Sequence, residues 1–265
     1  MKESSLEKIV KAFSDLKEVE AIALSGSKTS PINDEASDSD IYIYSDKIID
    51  REDRRNIFSS ISDEFIIASS LFEEGDEAII DGSCYDFMYR TLSWMEEQVK
   101  DVWIDHNARL GYTTCFIYNL KSSKILFDRN NRLRGLQRKV EGSYSEELRS
   151  NIIKKNFYFL DGPFAFPLLK QLEVAIKRGD KISIQHRLSA ILQSYFDILF
   201  AYNRVLHPGE KKLVKYAHLY CTSLPSSFDE DIEAVLSLKG DDLYSAVVKL
   251  ISSLKELPDN RILSN

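Results

Sequence analysis

Two aspartates one residue apart, Asp38 and Asp40, stand at the head of an apolar run, Ile41-Tyr42-Ile43-Tyr44. Side chains on a strand alternate between its faces, so both carboxylates point one way while Ile41 and Ile43 turn into a core. Two carboxylates side by side repel each other unless something positive sits between them, and a divalent cation is the partner these residue types predict. With oxygen ligands and no His or Cys nearby, the chemistry favours Mg²⁺ over Zn²⁺. Upstream, residues 21–24 read as a buried strand that ends in the corner Ser25-Gly26-Ser27. Free backbone N–H groups at such a corner can hold phosphate oxygens. Asp86 is a third acid of interest, because it interrupts an otherwise apolar strand and is costly to bury alone. A salt bridge or an exposed sheet edge would satisfy it as well as a ligand would.

Gly26-Ser27, then a loop, then Asp38-Ser39-Asp40 resembles the signature of the nucleotidyltransferase superfamily, the one that includes DNA polymerase beta. The interval is similar to that in the kanamycin-type enzymes. Two departures stand out: Ser39 fills a position that is usually apolar, and Lys28, Ser30 and Pro31 stand where relatives often have Arg-x-Gly. An alternative register, with Asp40 first and Tyr42 second, would lose one carboxylate. The register with Asp38 first lets residues 41–44 continue the strand as relatives do.

The resemblance implies that Asp86, which follows an Asp-Gly turn, is the third carboxylate of the group. Asp38, Asp40 and Asp86 would then be the metal ligands and the catalytic acids, holding two Mg²⁺ ions. Asp86 would serve either as third ligand or as general base toward the acceptor. Gly26, Ser27 and Lys28 would hold the phosphates of ATP or another nucleoside triphosphate. Lys154 or Lys155, and Lys211 or Lys212, are the helical-domain candidates for further phosphate contacts, each with a solvated surface role as the alternative. Glu147 or Glu173 would be a base facing the acceptor. The implied reaction moves a nucleoside monophosphate, AMP from ATP, onto a hydroxyl of a small molecule such as an aminoglycoside- or lincosamide-like compound. Modification of a protein or a tRNA end is a rival within the fold. A non-catalytic nucleotide-binding or antitoxin-like protein is the rival outside it. Relatives often form homodimers, so a dimer is an expected assembly.

With 265 residues, the chain is long enough for one large domain or two modest ones. A formal net charge of −7 argues against a polyanionic partner such as duplex DNA or tRNA, and an acidic cleft would draw a cationic acceptor. The three cysteines, Cys84, Cys115 and Cys221, lie far apart in apolar or aromatic surroundings, which predicts buried, reduced thiols and a cytoplasmic protein. The first ten residues do not form a signal peptide, and no apolar run approaches membrane-spanning length.

Order along the chain predicts an α+β protein: a mixed β-sheet domain with flanking helices over 1–138, then an all-α helical bundle over 139–265. Leu6, Ile9, Val10, Phe13 and Leu16 follow helical spacing behind Ser4 or Ser5 as cap. The charged run 50–55 opens a second helix and reads as a solvated face. Residues 64–69 are strand-like, and 76–90 read as a hairpin around Asp81-Gly82. A helix over 92–102 and strands over 112–118 and 124–127 complete the first domain. Beyond residue 143 the pattern is helical only. Ser143 and Glu146 suggest a capping box, Pro163 the first turn of the following helix, and Gly179-Asp180 a stop followed by a start. The Arg178-Gly179-Asp180 tripeptide therefore reads as a helix junction, not an adhesion motif. Residues 182–203 form a long helix whose aromatics are core. Residues 201–213 turn into another helix, Ser227 and Glu230 cap the next, and Gly240 opens the last. His186 reads as a packed helix residue and His207 as a turn residue.

Overall fold

The computed structural model of the protein describes residues 3–29, 32, 39–67, 75–163 and 166–257, with Ser27 in its backbone only. The chain divides into two compact units: Met1–Lys100 with Phe116–Gly142, and Asp101–Cys115 with Ser143–Asn265. The chain thus enters the second unit at residue 101, leaves it at 116 and returns at 143.

In the first unit, six strands form one mixed sheet. They are β1 (Val19–Ser25), β2 (Ser39–Ser45), β3 (Glu64–Ile66), β4 (Gly75–Ile80), β5 (Ser83–Arg90) and β6 (Lys124–Asp128), in the order β3-β4-β5-β2-β1-β6. Only β2 and β5 run parallel; the other neighbours are antiparallel. Helix α1 (Ser5–Ser14) begins at Ser4, whose hydroxyl accepts from Glu7 N while the Glu7 carboxylate accepts from Ser4 N, so the capping box is complete. The β4–β5 turn has Asp81 at φ 51° and Gly82 at φ 75°, the pair of positive values that a tight hairpin needs. Lys8 Nζ on α1 reaches Asp81 at 2.6 Å and ties that turn to the helix.

One face of the sheet is apolar. Ile22, Ile41, Ile43 and Phe87 pack there against Ile9 and Phe13 of α1 and Phe58 of α2 (Arg51–Ile61). Phe87 stacks on Phe13 at 5.7 Å and meets Phe58 edge-on at 4.8 Å. The charged run that opens α2 is not wholly solvated, as its sequence suggests. Arg54 is buried and its Nη1 donates to both oxygens of Asp76, at 3.0 and 3.1 Å. Tyr89 Oη donates to the same carboxylate at 2.6 Å, and the guanidinium lies 4.8 Å over the Tyr89 ring. Burial and the adjoining Asp76 charge hold the Tyr89 phenol far above its usual pKa.

Helices α3 (Leu92–Gln98), α4 (Cys115–Ser122) and α5 (Arg132–Lys139) complete the unit, α3 running on into a π-helical turn at Val99–Ile104. The strand expected over 112–118 is instead the lead-in and first turns of α4. Its aromatic and β-branched residues favour a strand, but Ile117 and Leu120 bury at helical spacing, and tertiary packing overrides the propensity. Arg129 donates to the backbone oxygens of Val19, Ser14 and Leu16, so the polar exit of β6 clamps the α1–β1 turn.

The second unit is helical: α6 (Glu146–Asp161), α7 (Leu168–Lys177), α8 (Lys181–Tyr202), α9 (Leu213–Tyr220), α10 (Phe228–Ser237) and α11 (Gly240–Ser253). Helix α8 is its axis, buried without interruption from Ser194 to Tyr202, and the aromatics there are core as expected. Ser145, not Ser143, caps α6 by accepting from Leu148 N, and α7 starts at Leu168 behind Pro167, so Pro163 opens no helix. Ser227 stands at the N-cap of α10 without the expected capping bond; its hydroxyl donates to Asp231 at 2.7 Å. Asp180 caps α8 as predicted, with Gly179 at φ 65°. The His186 side chain is exposed and not packed, and Cys84 is exposed too, although all three thiols are free. Among the described residues, no helix is long and apolar enough to cross a membrane.

Segment 101–115 supplies polar groups that the helices lack. Thr113 N and Oγ1 donate to Asp197 at 3.0 and 2.6 Å, and Asn156 Nδ2 donates to it at 3.1 Å. Gly111 N donates to Asn156 Oδ1 at 3.0 Å, and His207 N donates to Thr114 Oγ1 at 2.7 Å.

Candidate active site

On the sheet face opposite the apolar core, β1, β2, β5 and β4 line up four polar residues in one register row: Ser25, Asp40, Asp86 and Glu77. Paired residues on adjacent strands share a face, and neighbouring strands lie about 4.8 Å apart. Asp40 and Asp86 are thus side by side, both half-buried, on the only parallel strand pair of the described sheet. Parallel pairing follows from the connection: α2, β3 and β4 intervene between β2 and β5, which lets β5 run in the same direction as β2.

Gly26 lies directly against this pair. A Cβ built there would fall 1.5 Å from Asp40 Oδ2 and 2.6 Å from its Cγ, and the backbone has φ +68°. Only glycine leaves room for the Asp40 carboxylate and accepts that conformation without strain. The turn Gly26–Thr29 is a single 3₁₀ turn, closed by Thr29 Oγ1 donating to Gly26 O at 3.0 Å. Lys28 in that turn is exposed. Behind it, the hydroxyls of buried Ser25 and Ser123 share a hydrogen bond at 3.1 Å, and Ser123 donates its own proton to Asn119 O at 2.6 Å. The corner is therefore anchored to the end of α4 by side chains that the sequence pattern does not single out.

Asp38 lies outside the described residues, so the acidic pair that opens the sequence argument is represented here by Asp40 alone. Among the described residues, no group of three or more His, Cys, Asp or Glu side chains is arranged to hold a metal ion. Asp40 and Asp86 nonetheless fit such an ion chemically: both are hard oxygen donors, and the glycine makes room for the Asp40 carboxylate. Glu77 adds a carboxylate beyond Asp86, exposed on β4, and its period-two alternation with buried Asp76 and Ala78 is the only sequence signal for it.

The remaining candidates lie in the helical unit. Lys154 and Lys155, both exposed on α6, line a cavity of about 510 Å³ with Asp101, His106, Asn107 and Asn151. Lys155 Nζ donates to Ala108 O at 2.6 Å. Lys211 is exposed, and Lys212, at φ 58°, precedes α9. Glu147 pairs with His106 Nδ1 at 3.2 Å. Glu173 is clamped between Lys170 and Lys177, whose hydrogen bonds pull its pKa down to about 2. So weak a base is unsuited to taking a proton near neutrality. His207 is buried with Nδ1 accepting from Gly209 N at 3.2 Å, and burial pushes its pKa down to about 3.

No protein-family model matches the chain, and no curated protein is similar to it in sequence. Among solved structures it is similar to a nucleotidyltransferase-like protein from Exiguobacterium sibiricum, at 12% identity over 96% of this chain and 73% of that one, with a TM-score of 0.46.

Proposed function

We propose that the protein is a metal-dependent nucleotidyltransferase that moves a nucleoside monophosphate, AMP from ATP, onto a hydroxyl of a small acceptor. The observation that carries the reading is the register of Asp40 with Asp86 on adjoining parallel strands, with Gly26 held under the Asp40 carboxylate. Both aspartates are hard oxygen donors, half-buried side by side, which are the ligand type and placement that suit a divalent cation. Mg²⁺, when bound, supplies charge relief at the triphosphate and lowers the pKa of the attacking hydroxyl.

The chain's own part is positional. Asp40 and Asp86, with Asp38, offer the anionic oxygens. The turn at Gly26 and Ser27 offers backbone N–H groups to phosphate oxygens, and Lys28 adds positive charge beside it. Asp86, beside Asp40, would serve as a further ligand or take the proton of an acceptor hydroxyl. With a net charge of −7 the chain favours a cationic or neutral acceptor over a nucleic acid, and aminoglycoside- or lincosamide-like compounds have the required hydroxyls.

The test is release of pyrophosphate from ATP with Mg²⁺ against a panel of hydroxylated acceptors, comparing wild type with Asp40→Asn and Asp86→Asn. Turnover that needs Mg²⁺ and falls by about 100-fold or more in each variant is the expected result, in line with loss of a metal-ligating acid. ATP binding without turnover on any acceptor would instead favour a binding module. Absence of both would remove the reading.

A further inference from the structure

Helices α7 and α8 meet at the Arg178-Gly179-Asp180 junction, and the angle between them leaves a cavity of about 470 Å³. That volume is within the range of small-molecule sites. Its walls combine opposite chemistries. Phe166, with 59% of its surface exposed, and Val174 offer apolar surface, while Arg178, Ser183 and Arg187 offer donors. No described carboxylate pairs with either guanidinium, and Arg187 Nε is buried without a hydrogen-bond partner among the described residues. A buried donor without a partner is costly unless a ligand or solvent meets it. Asp180, also at the rim, has one oxygen engaged by Ser183 N at 3.0 Å, so two arginines and one aspartate leave the cavity with one net positive charge.

We propose that this cavity binds a small amphipathic monoanion, an organic carboxylate with an aromatic or aliphatic body. The guanidinium fork of Arg187, backed by Arg178, matches a carboxylate in two parallel hydrogen bonds. Phe166 and Val174 take the apolar body. A single net charge selects against a triphosphate, which would meet Asp180 with excess negative charge, so this site is distinct in chemistry from the acidic row of the sheet. The predicted tripeptide junction thereby acquires a role beyond ending one helix and starting the next.

The test is a nuclear magnetic resonance titration of the full chain with three probes: phenylacetate, the uncharged phenylacetamide, and inorganic phosphate. Phenylacetate is expected to saturate in the millimolar range, with shifts confined to residues 166–187, and the other two to bind at least tenfold more weakly. Arg187→Gln should weaken phenylacetate at least tenfold, and Arg178→Gln, at an exposed helix end, should weaken it without any risk to the core. Asp40→Asn should leave it unchanged, which separates this site from the proposed transferase chemistry. No saturable phenylacetate binding, equal binding of the amide, or indifference to both arginine variants would overturn the proposal.

Discussion

At Gly26 a single hydrogen atom in place of a side chain decides whether Asp40 can occupy its position. Any Cβ would overlap the Asp40 carboxylate, and the positive φ adds strain for an L-residue. Gly26→Ala is therefore expected to lose Mg²⁺-dependent pyrophosphate release by about 100-fold or more, of the order seen when a positioned catalytic group is displaced. The same substitution should cost about 1–3 kcal/mol of stability through backbone strain, read from a urea melt. Asp86→Asn makes a cleaner control, because it keeps shape and loses charge. A wild-type melting temperature that rises with millimolar Mg²⁺, against one that does not move in Asp86→Asn, is the ligand-linkage signature expected of an ion held there. Equal shifts in both proteins would place the ion elsewhere.

Among the elements, the buried Arg54–Asp76 pair joins α2 to β4 on the apolar face of the sheet. Removing one partner strands a charge in the core, so Asp76→Ala should destabilise the first unit by about 3–5 kcal/mol. Replacing both with apolar residues, as Arg54→Met with Asp76→Leu, should recover most of that loss; a double variant as unstable as the single one would assign the pair a different role. In the helical unit two buried groups titrate in opposite senses. Burial raises Asp197 to about 7, even though Thr113 and Asn156 hydrogen-bond its charged form. The folded state therefore holds this proton more tightly than the unfolded one, and stability falls as pH rises from about 4 to about 7. His207, lowered to about 3, behaves conversely: the unfolded chain takes up the proton first, so stability falls as pH drops from about 6.5 to about 3. The two slopes offset each other over most of that interval. Asp197→Asn removes one of them, and denaturant melts at pH 4.5 and 6.5 should then show a loss on acidification that wild type largely lacks.

For the whole molecule, the organising fact is that the helical unit contains residues from both sides of α4 and β6. Segment 101–115 carries the donors to Asp197 and Asn156 and the acceptor for His207 N. A fragment beginning at residue 139 would retain every long helix and lose those partners, leaving buried polar groups unmatched. It is expected to keep helical circular dichroism yet melt without cooperativity, whereas a chain in which 101–115 is fused ahead of 143–257 should melt sharply. A cooperative transition in the shorter fragment would show the segment to be dispensable.

Much of this was open to reading in one dimension, because period and punctuation are local. The alternation around Asp40 and Asp86, the Asp81-Gly82 turn, the Gly179-Asp180 junction and the apolar stripe of α8 each announce an element within a few residues. What the residues could not announce was partnership across the chain. The solvated reading of Arg54 fails because its partner Asp76 is 22 positions away, and the strand reading of 112–118 fails because Ile117 and Leu120 find a helical packing surface. Glu77 joins the acidic row only through the register of β4 on β5, and Gly26 meets Asp40 only because β1 and β2 pair antiparallel. Residue types and spacing determined which chemistry this chain is equipped for; contacts between distant segments, which no local pattern encodes, decided which of those groups stand together.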